Sequence, residues 1–178
     1  MAKGRGMLVA TAVICITAAF AAFAFAFERN ANPGTLLFPL PIEDLKGLRD
    51  SFSEKRGEHT HEAVDIMAAR GTPVYAVADG KVAKLFLSVP GGNTIYQFDS
   101  TGSIAYYYAH LDRYAEGLAE GAQVRCGDVI GYVGSTGNAA PKAPHLHFAI
   151  FKLGPERKWW KGEAIDPYPL LGGATLPR

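Results

Sequence analysis

Cysteine is scarce in this sequence, with Cys15 and Cys126 the only two among 178 residues. That excludes a disulfide-dense scaffold and any four-thiolate metal site. Surplus charge is also missing. The 18 Lys and Arg against 17 Asp and Glu leave a net charge of +1, without the clustered base that a nucleic-acid footprint needs. There is no G-x-S-x-G elbow, no Walker loop and no H-E-x-x-H helix, which removes three common signatures of hydrolytic and nucleotide sites. Neither Cys stands beside an obvious base. Helix signals are few, and past residue 40 only Glu43 to Arg49 reads as helical.

What is present begins with one long apolar run. Met7 to Phe27 (MLVATAVICITAAFAAFAFAF) carries no charge, Lys3 and Arg5 precede it, and no acid occurs before Glu28. As a helix such a run spans a hydrocarbon core of about 30 Å. The basic start stays in the cytoplasm, so the rest of the chain is expected outside it. The sequence therefore predicts a basic n-region over residues 1–6, a single-pass transmembrane helix over 7–27, a linker over 28–45, a domain over 46–170 and a tail over 171–178. The expected location is the inner (cytoplasmic) membrane, held through residues 7–27, with the domain in the periplasm or outside the cell. The alternative is secretion after cleavage at Ala24-Phe25-Ala26, an A-x-A site, although the run exceeds the usual length of a signal h-region. Cys15 falls in the apolar run and Cys126 in the domain, so no internal disulfide is expected and Cys126 reads as a packed small side chain.

The linker ends in an extended lead-in, Phe38-Pro-Leu-Pro-Ile42, which proline keeps from being helix. Strand signals follow at short intervals. Pro73 to Ala78 and Lys81 to Leu87 flank Asp79-Gly80, a strong hairpin signal. Thr94 to Phe98, Ile104 to His110, Val129 to Val133 and His145 to Phe151 each follow turn residues. Short strands with frequent turns predict an all-β fold, mainly antiparallel.

All five histidines stand at or beside possible site motifs. In His145-Leu146-His147 the two imidazoles project from one face of a strand about 6.6 Å apart, while Leu146 and Phe148 point into the core. In His61-Glu-Ala-Val-Asp65 an imidazole and a carboxylate suit zinc. A straight strand would hold their Cα atoms about 13 Å apart, so this segment must bend, and the small Ala63 leaves room for that. His110 closes a Tyr-Tyr-Tyr-Ala-His run and taken singly reads as a structural histidine. Tyr106, Tyr107 and Tyr108 alternate faces, so at least one lies in the core while another can face a groove. His59 reads as surface. Trp159-Trp160 either lines a groove or packs the C-terminal segment onto the sheet.

These motifs in this order resemble the lysostaphin-type, LytM-like zinc metallopeptidases that cut peptidoglycan peptides. The resemblance runs from about Arg56 to Ile150. It includes His61-x-x-x-Asp65-Ile66, Gly71-Thr-Pro-Val-Tyr-Ala76, Asp79-Gly-Lys-Val82 and Tyr108-Ala-His-Leu111. It continues through Gly121-x-x-Val124-x-x-Gly127-Asp128, Ile130-Gly131, Gly134-x-Thr136-Gly137 and Pro144-His-Leu-His-Phe148. It implies that His61, Asp65 and His147 bind one Zn2+ per chain and that His110 and His145 are the catalytic histidines, without dividing base and oxyanion roles between them. It also implies an antiparallel sheet with an open groove. Ala63 stands where the family usually has Gly, and the usual Arg shortly before the metal His has no clean counterpart in Glu58-His59-Thr60.

The function so implied is a zinc-dependent endopeptidase acting on peptidoglycan peptide stems for cell-wall remodelling. Relatives divide between glycine cross-bridges and direct links from D-Ala to a diamino acid. A non-catalytic LytM-like regulator that activates a cell-wall amidase is the main alternative. Against it, none of the five key positions is lost, and residues 28–45 hold no coiled-coil heptads. A biotinyl or lipoyl carrier would need a modifiable Lys at a hairpin tip, and no hairpin signal here supplies one.

Overall fold

The computed structural model describes residues 36–172. Eleven strands follow in chain order: β1 Lys55–Arg56, β2 His59–Thr60, β3 Val64–Met67, β4 Pro73–Tyr75, β5 Gly80–Ser88, β6 Gly92–Asp99, β7 Ile104–Tyr114, β8 Gln123–Val124, β9 Val129–Val133, β10 His145–Leu153 and β11 Gly162–Ile165. A 3-10 turn, Ile42–Gly47, precedes them, and one short helix, α1 Pro167–Gly172, follows. This is the all-β, antiparallel arrangement expected from the short strands and frequent turns. Among the described residues no helix is long and apolar enough to cross a membrane. The apolar run Met7 to Phe27 lies outside them.

Nine strands form one sheet in the order β11-β10-β7-β6-β5-β8, with β3 added to β10, β9 to β7 and β4 to β9. Every pairing is antiparallel. β1 and β2 make a separate small hairpin. At the start of β10 burial alternates with a period of two, so that stretch turns one face to the core. Val64 and Ile66 of β3, Tyr108 of β7, and Leu146, Phe148 and Ile150 of β10 all point into that core and are buried. Tyr108 carries a hydroxyl into it. The hydroxyl donates to Gln97 Oε1 at 2.8 Å and accepts from the Val77 N–H at 3.1 Å, and Gln97 donates on to the Ala78 carbonyl. The buried polar groups are thereby satisfied, as burial requires.

One local expectation is corrected. Asp79-Gly80 does not turn a hairpin between β4 and β5. β4 pairs with β9, and β5 with β6 and β8. Both residues have other uses: Asp79 Oδ1 accepts the Cys126 N–H at 2.7 Å. A Cβ on Gly80 would lie 1.9 Å from the Phe98 carbonyl oxygen, so the glycine serves close strand approach. β8 joins β5, while β9 joins β4 and β7. The lead-in before the 3-10 turn is packed: Phe38 and Leu40 are fully buried, and Leu37 and Pro39 bond backbone to backbone with Val77 and Tyr75.

Candidate metal centre and groove

β10 sets the geometry. With Leu146 and Phe148 fixed in the core, His145 and His147 must face the other side of the sheet. β3 pairs alongside in a register that places Asp65 opposite His147 and Met67 opposite His145. Asp65 is held to that face because its neighbours Val64 and Ile66 are buried.

His61 reaches the same point through the bend that its spacing requires. Glu62 takes a φ of 54°, a left-handed conformation that costs a non-glycine residue about 1–2 kcal/mol. Ala63 is fully buried beneath the bend. Residues 51–54 clamp the loop from outside. The Glu54 carbonyl accepts the His61 N–H and the Phe52 carbonyl accepts the Glu62 N–H, both at 2.9 Å. The buried Ser51 accepts the Asp65 N–H on its Oγ and donates that hydroxyl to the Ala63 carbonyl.

Three side-chain atoms then converge. His61 Nε2 and His147 Nδ1 are 3.0 Å apart, and each lies 3.1 Å from Asp65 Oδ1. His61 Nδ1 donates to the Ser51 carbonyl at 3.0 Å, which leaves its Nε2 with a lone pair. A bare imidazole nitrogen, a second imidazole and a carboxylate at mutual distances near 3 Å are the donors of a cation site, and this set could hold a metal ion. Burial works to raise the Asp65 carboxyl. Hydrogen bonds and positive charge from His147 and His61 outweigh it and hold the group well below the usual carboxylate range. Burial pushes the His147 imidazole down.

The other carboxylate oxygen has its own partner. Asp65 Oδ2 accepts from Arg56 at 2.9 Å, and the same guanidinium reaches Glu54 Oε2 at 3.2 Å. An arginine shortly before His61 thus does reach the site. It sits five residues before His61, on β1, and crosses to Asp65 because β1 and β2 fold back as a hairpin. No spacing rule points to that contact.

His110 joins the site through a β-bulge. Tyr108 and Leu111 of β7, three residues apart, face Ile95 and Asn93 of β6, two apart. The extra residue is absorbed where His110 takes a φ of 60°, which turns its side chain to the groove beside Ala109. Its Nδ1 donates to the Thr136 carbonyl at 2.9 Å, and its backbone N–H to the Gly91 carbonyl at 2.8 Å. Burial lowers its pKa to about 4, aided by the neighbouring imidazoles of His147 and His145. His145 donates Nδ1–H to the Ala143 carbonyl at 2.9 Å, and its Nε2 lies 3.8 Å from Asp65 Oδ1. The His110 ring is 4.8 Å from that of His145 and 5.5 Å from that of His147. All five residues singled out by the motifs share one open groove of about 1030 Å3.

The turn Gly134 to Asn138 brings Asn138 to the groove wall and aims His110 through the Thr136 carbonyl. Gly92 and Gly137 make this possible. Both have positive φ, and a Cβ on Gly137 would lie 2.4 Å from the backbone nitrogen of Gly92, so two backbones pass in contact. Of the three tyrosines, Tyr106 and Tyr108 are buried while Tyr107 borders the groove, its ring edge-on to His147 at 5.8 Å. His59 is exposed on the groove edge. Trp159 packs on Phe86 and Tyr96 of the sheet, and Trp160 stays 61% exposed.

The family model for "Peptidase family M23" matches residues 59–167, a span that holds all five groove residues. The chain is 35% identical over 146 residues to the L-Ala--D-Glu endopeptidase of Bacillus subtilis, covering 78% of this chain and 43% of that protein. It is 35% identical over 115 residues to the glycyl-glycine endopeptidase ALE-1 of Staphylococcus capitis, covering 64% and 30%. It therefore spans less than half the length of these curated relatives. The solved catalytic domain of the antimicrobial peptidase lysostaphin from Staphylococcus simulans superposes with a TM-score of 0.55 at 35% identity, covering 64% of this chain and 80% of that one. With the motif order, the groove and a model match over most of the chain in agreement, the chain belongs to Peptidase family M23.

Proposed function

We propose that this chain is a zinc-dependent endopeptidase that hydrolyses peptide cross-links of bacterial peptidoglycan. His61, Asp65 and His147 are the ligands of one Zn2+, and His110 and His145 are the catalytic histidines. The observation that carries this reading is the convergence of His61 Nε2, His147 Nδ1 and Asp65 Oδ1 within 3.1 Å, beside two further imidazoles in an open groove. Zinc bound by such a set supplies a Lewis acid for a peptide carbonyl and brings the pKa of water toward neutrality.

The chain's own residues then handle protons and position. His110 and His145 each give Nδ1–H to a backbone carbonyl, so each keeps Nε2 as the atom free to exchange a proton. His110, with its pKa near 4, is uncharged at neutral pH. Two imidazoles 4.8 Å apart suit the two needs of peptide hydrolysis, a base for water and a proton for the leaving amine. Arg56 holds Asp65 by the oxygen that the imidazoles do not use. A regulator of an amidase would have no use for this complete set. The membrane location is part of the proposal and rests on the uncharged run Met7 to Phe27 with its basic start.

Elemental analysis tests the ligand set. Purified protein carries about one zinc per chain, and His147→Ala loses most of it. His110→Ala and His145→Ala keep zinc but lose hydrolysis by about 10²–10⁴-fold, the scale of general acid–base groups. Full zinc in His147→Ala moves the metal elsewhere. Parental hydrolysis by either of the other variants removes that histidine from the chemistry.

A further inference from the structure

The two rims of the groove differ in charge. The rim beside β3 carries Lys46, Arg49 and Arg56, whereas Pro90, Asn138, Ala139 and Ala140 across from it carry none. Two of the three cations are already engaged: Arg56 with Asp65 and Glu54, Arg49 with Glu54. Lys46 is exposed and has no ion-pair partner among the described residues. Its backbone is fixed. Gly47 packs so closely that a Cβ there would lie 2.4 Å from the Met67 carbonyl oxygen, and Leu48 bridges to Ile66. Lys46 therefore lines the groove beside the β3 edge that carries Asp65. Among the residues that line the groove, Asp65 is the one carboxylate beside these three cations.

We propose that this rim binds a free carboxylate of the peptide being cut, with Lys46 as the specificity-determining residue. The substrate class is then an acidic stem peptide rather than an uncharged glycine bridge. The inference rests on the endopeptidase reading and narrows it. A carboxylate gains a charge-assisted hydrogen bond from Lys46 without breaking an ion pair among the described residues, on a rim that Arg49 and Arg56 also line. The opposite rim accepts the rest of the peptide without charge selection.

The test uses the full zinc-loaded chain and two synthetic stem peptides, identical except that a free carboxylate in one is a carboxamide in the other. The carboxylate peptide is cut with about tenfold higher kcat/KM, the scale of one hydrogen bond to a charged group. The difference lies mostly in KM and shrinks as salt is raised. Lys46→Gln brings the two peptides close together, and Lys46→Glu reverses their order. Equal kcat/KM for both peptides with the parent, or a carboxylate preference that survives Lys46→Glu, overturns the assignment. Failure of the parent to cut either peptide or whole peptidoglycan overturns the endopeptidase reading beneath it, so the two failures are distinguishable.

Discussion

Replacing Arg56 by Ala removes the guanidinium that holds Asp65 Oδ2 at 2.9 Å and leaves the atoms around Oδ1 in place. As an ion pair the contact is modest. The Arg56 side chain is 43% exposed, and a pair so screened contributes about 1 kcal/mol or less to folding. Its larger effect is on the carboxylate's orientation. With Oδ2 released, Asp65 can rotate, and the metal must re-order it at its own expense. Removing such an outer partner of a ligand typically lowers metal affinity 10–100-fold, or about 1.4–2.8 kcal/mol. The exposure of Arg56 places the expected loss near the lower figure, about tenfold in Kd for zinc. Arg56→Lys recovers part of it, because charge remains while the planar fork is lost. Chelator-competition titration measures the affinity, and urea unfolding of the metal-free variants measures the fold. A zinc Kd within twofold of the parent refutes the reasoning. So does an affinity loss matched by an equal loss of metal-free stability, which would trace the effect to the β1–β2 hairpin.

Two further perturbations follow from the same geometry. Gly137→Ala places a Cβ 2.4 Å from Gly92 N and from the Pro90 carbonyl oxygen at a φ of 72°. It should cost more than about 2 kcal/mol in urea unfolding and depress hydrolysis through Thr136 and His110; an unchanged urea midpoint contradicts the close approach. Metal-free protein should lose stability in acid. His110 titrates near 4 in the folded state against 6.5 ordinarily, so the unfolded chain takes up its proton first and stability falls by up to about 3 kcal/mol as pH drops from 6.5 to 4. The lowered Asp65 carboxyl adds a loss in the same direction below about pH 4. His110→Asn flattens the upper part of this slope, and an identical pH profile for parent and variant contradicts the assignment to His110.

The sequence and the structure agree most closely where periodicity carries the information. His145-Leu-His-Phe148 alternates with period two, so the core demand of Leu146 and Phe148 alone dictates which way both imidazoles face. The bend in His61 to Asp65 follows from reach, since a straight strand cannot bring the pair together. Contacts set by turns and bulges were not legible. His110 faces the groove because one extra residue in β7 is taken up at a positive φ, and neither its type nor its spacing signals that. Arg56 meets Asp65 across a two-residue-strand hairpin too short to read as strands. The support of His61 by residues 51–54 is backbone bonding, which side-chain identity does not encode. Asp79-Gly80 misleads for a physical reason: the same dipeptide that favours a two-residue turn also suits a strand that must let a neighbouring carbonyl approach within contact. Phe38 and Leu40 looked like part of a linker because their flanking prolines exclude helix, yet proline is compatible with an extended segment laid along Tyr75 to Val77.

The measurement closest to the central claim is the digestion of purified peptidoglycan by the full chain. Parallel samples are zinc-loaded, stripped with a chelator and re-supplied with zinc, and mass spectrometry identifies the released fragments. The account predicts peptide-bond cleavage within stems or cross-links, with new amino and carboxyl ends, lost on stripping, restored by zinc and absent in His147→Ala. Peptidoglycan left uncut by the zinc-loaded chain, or cut equally well by the stripped protein and by His147→Ala, would contradict it.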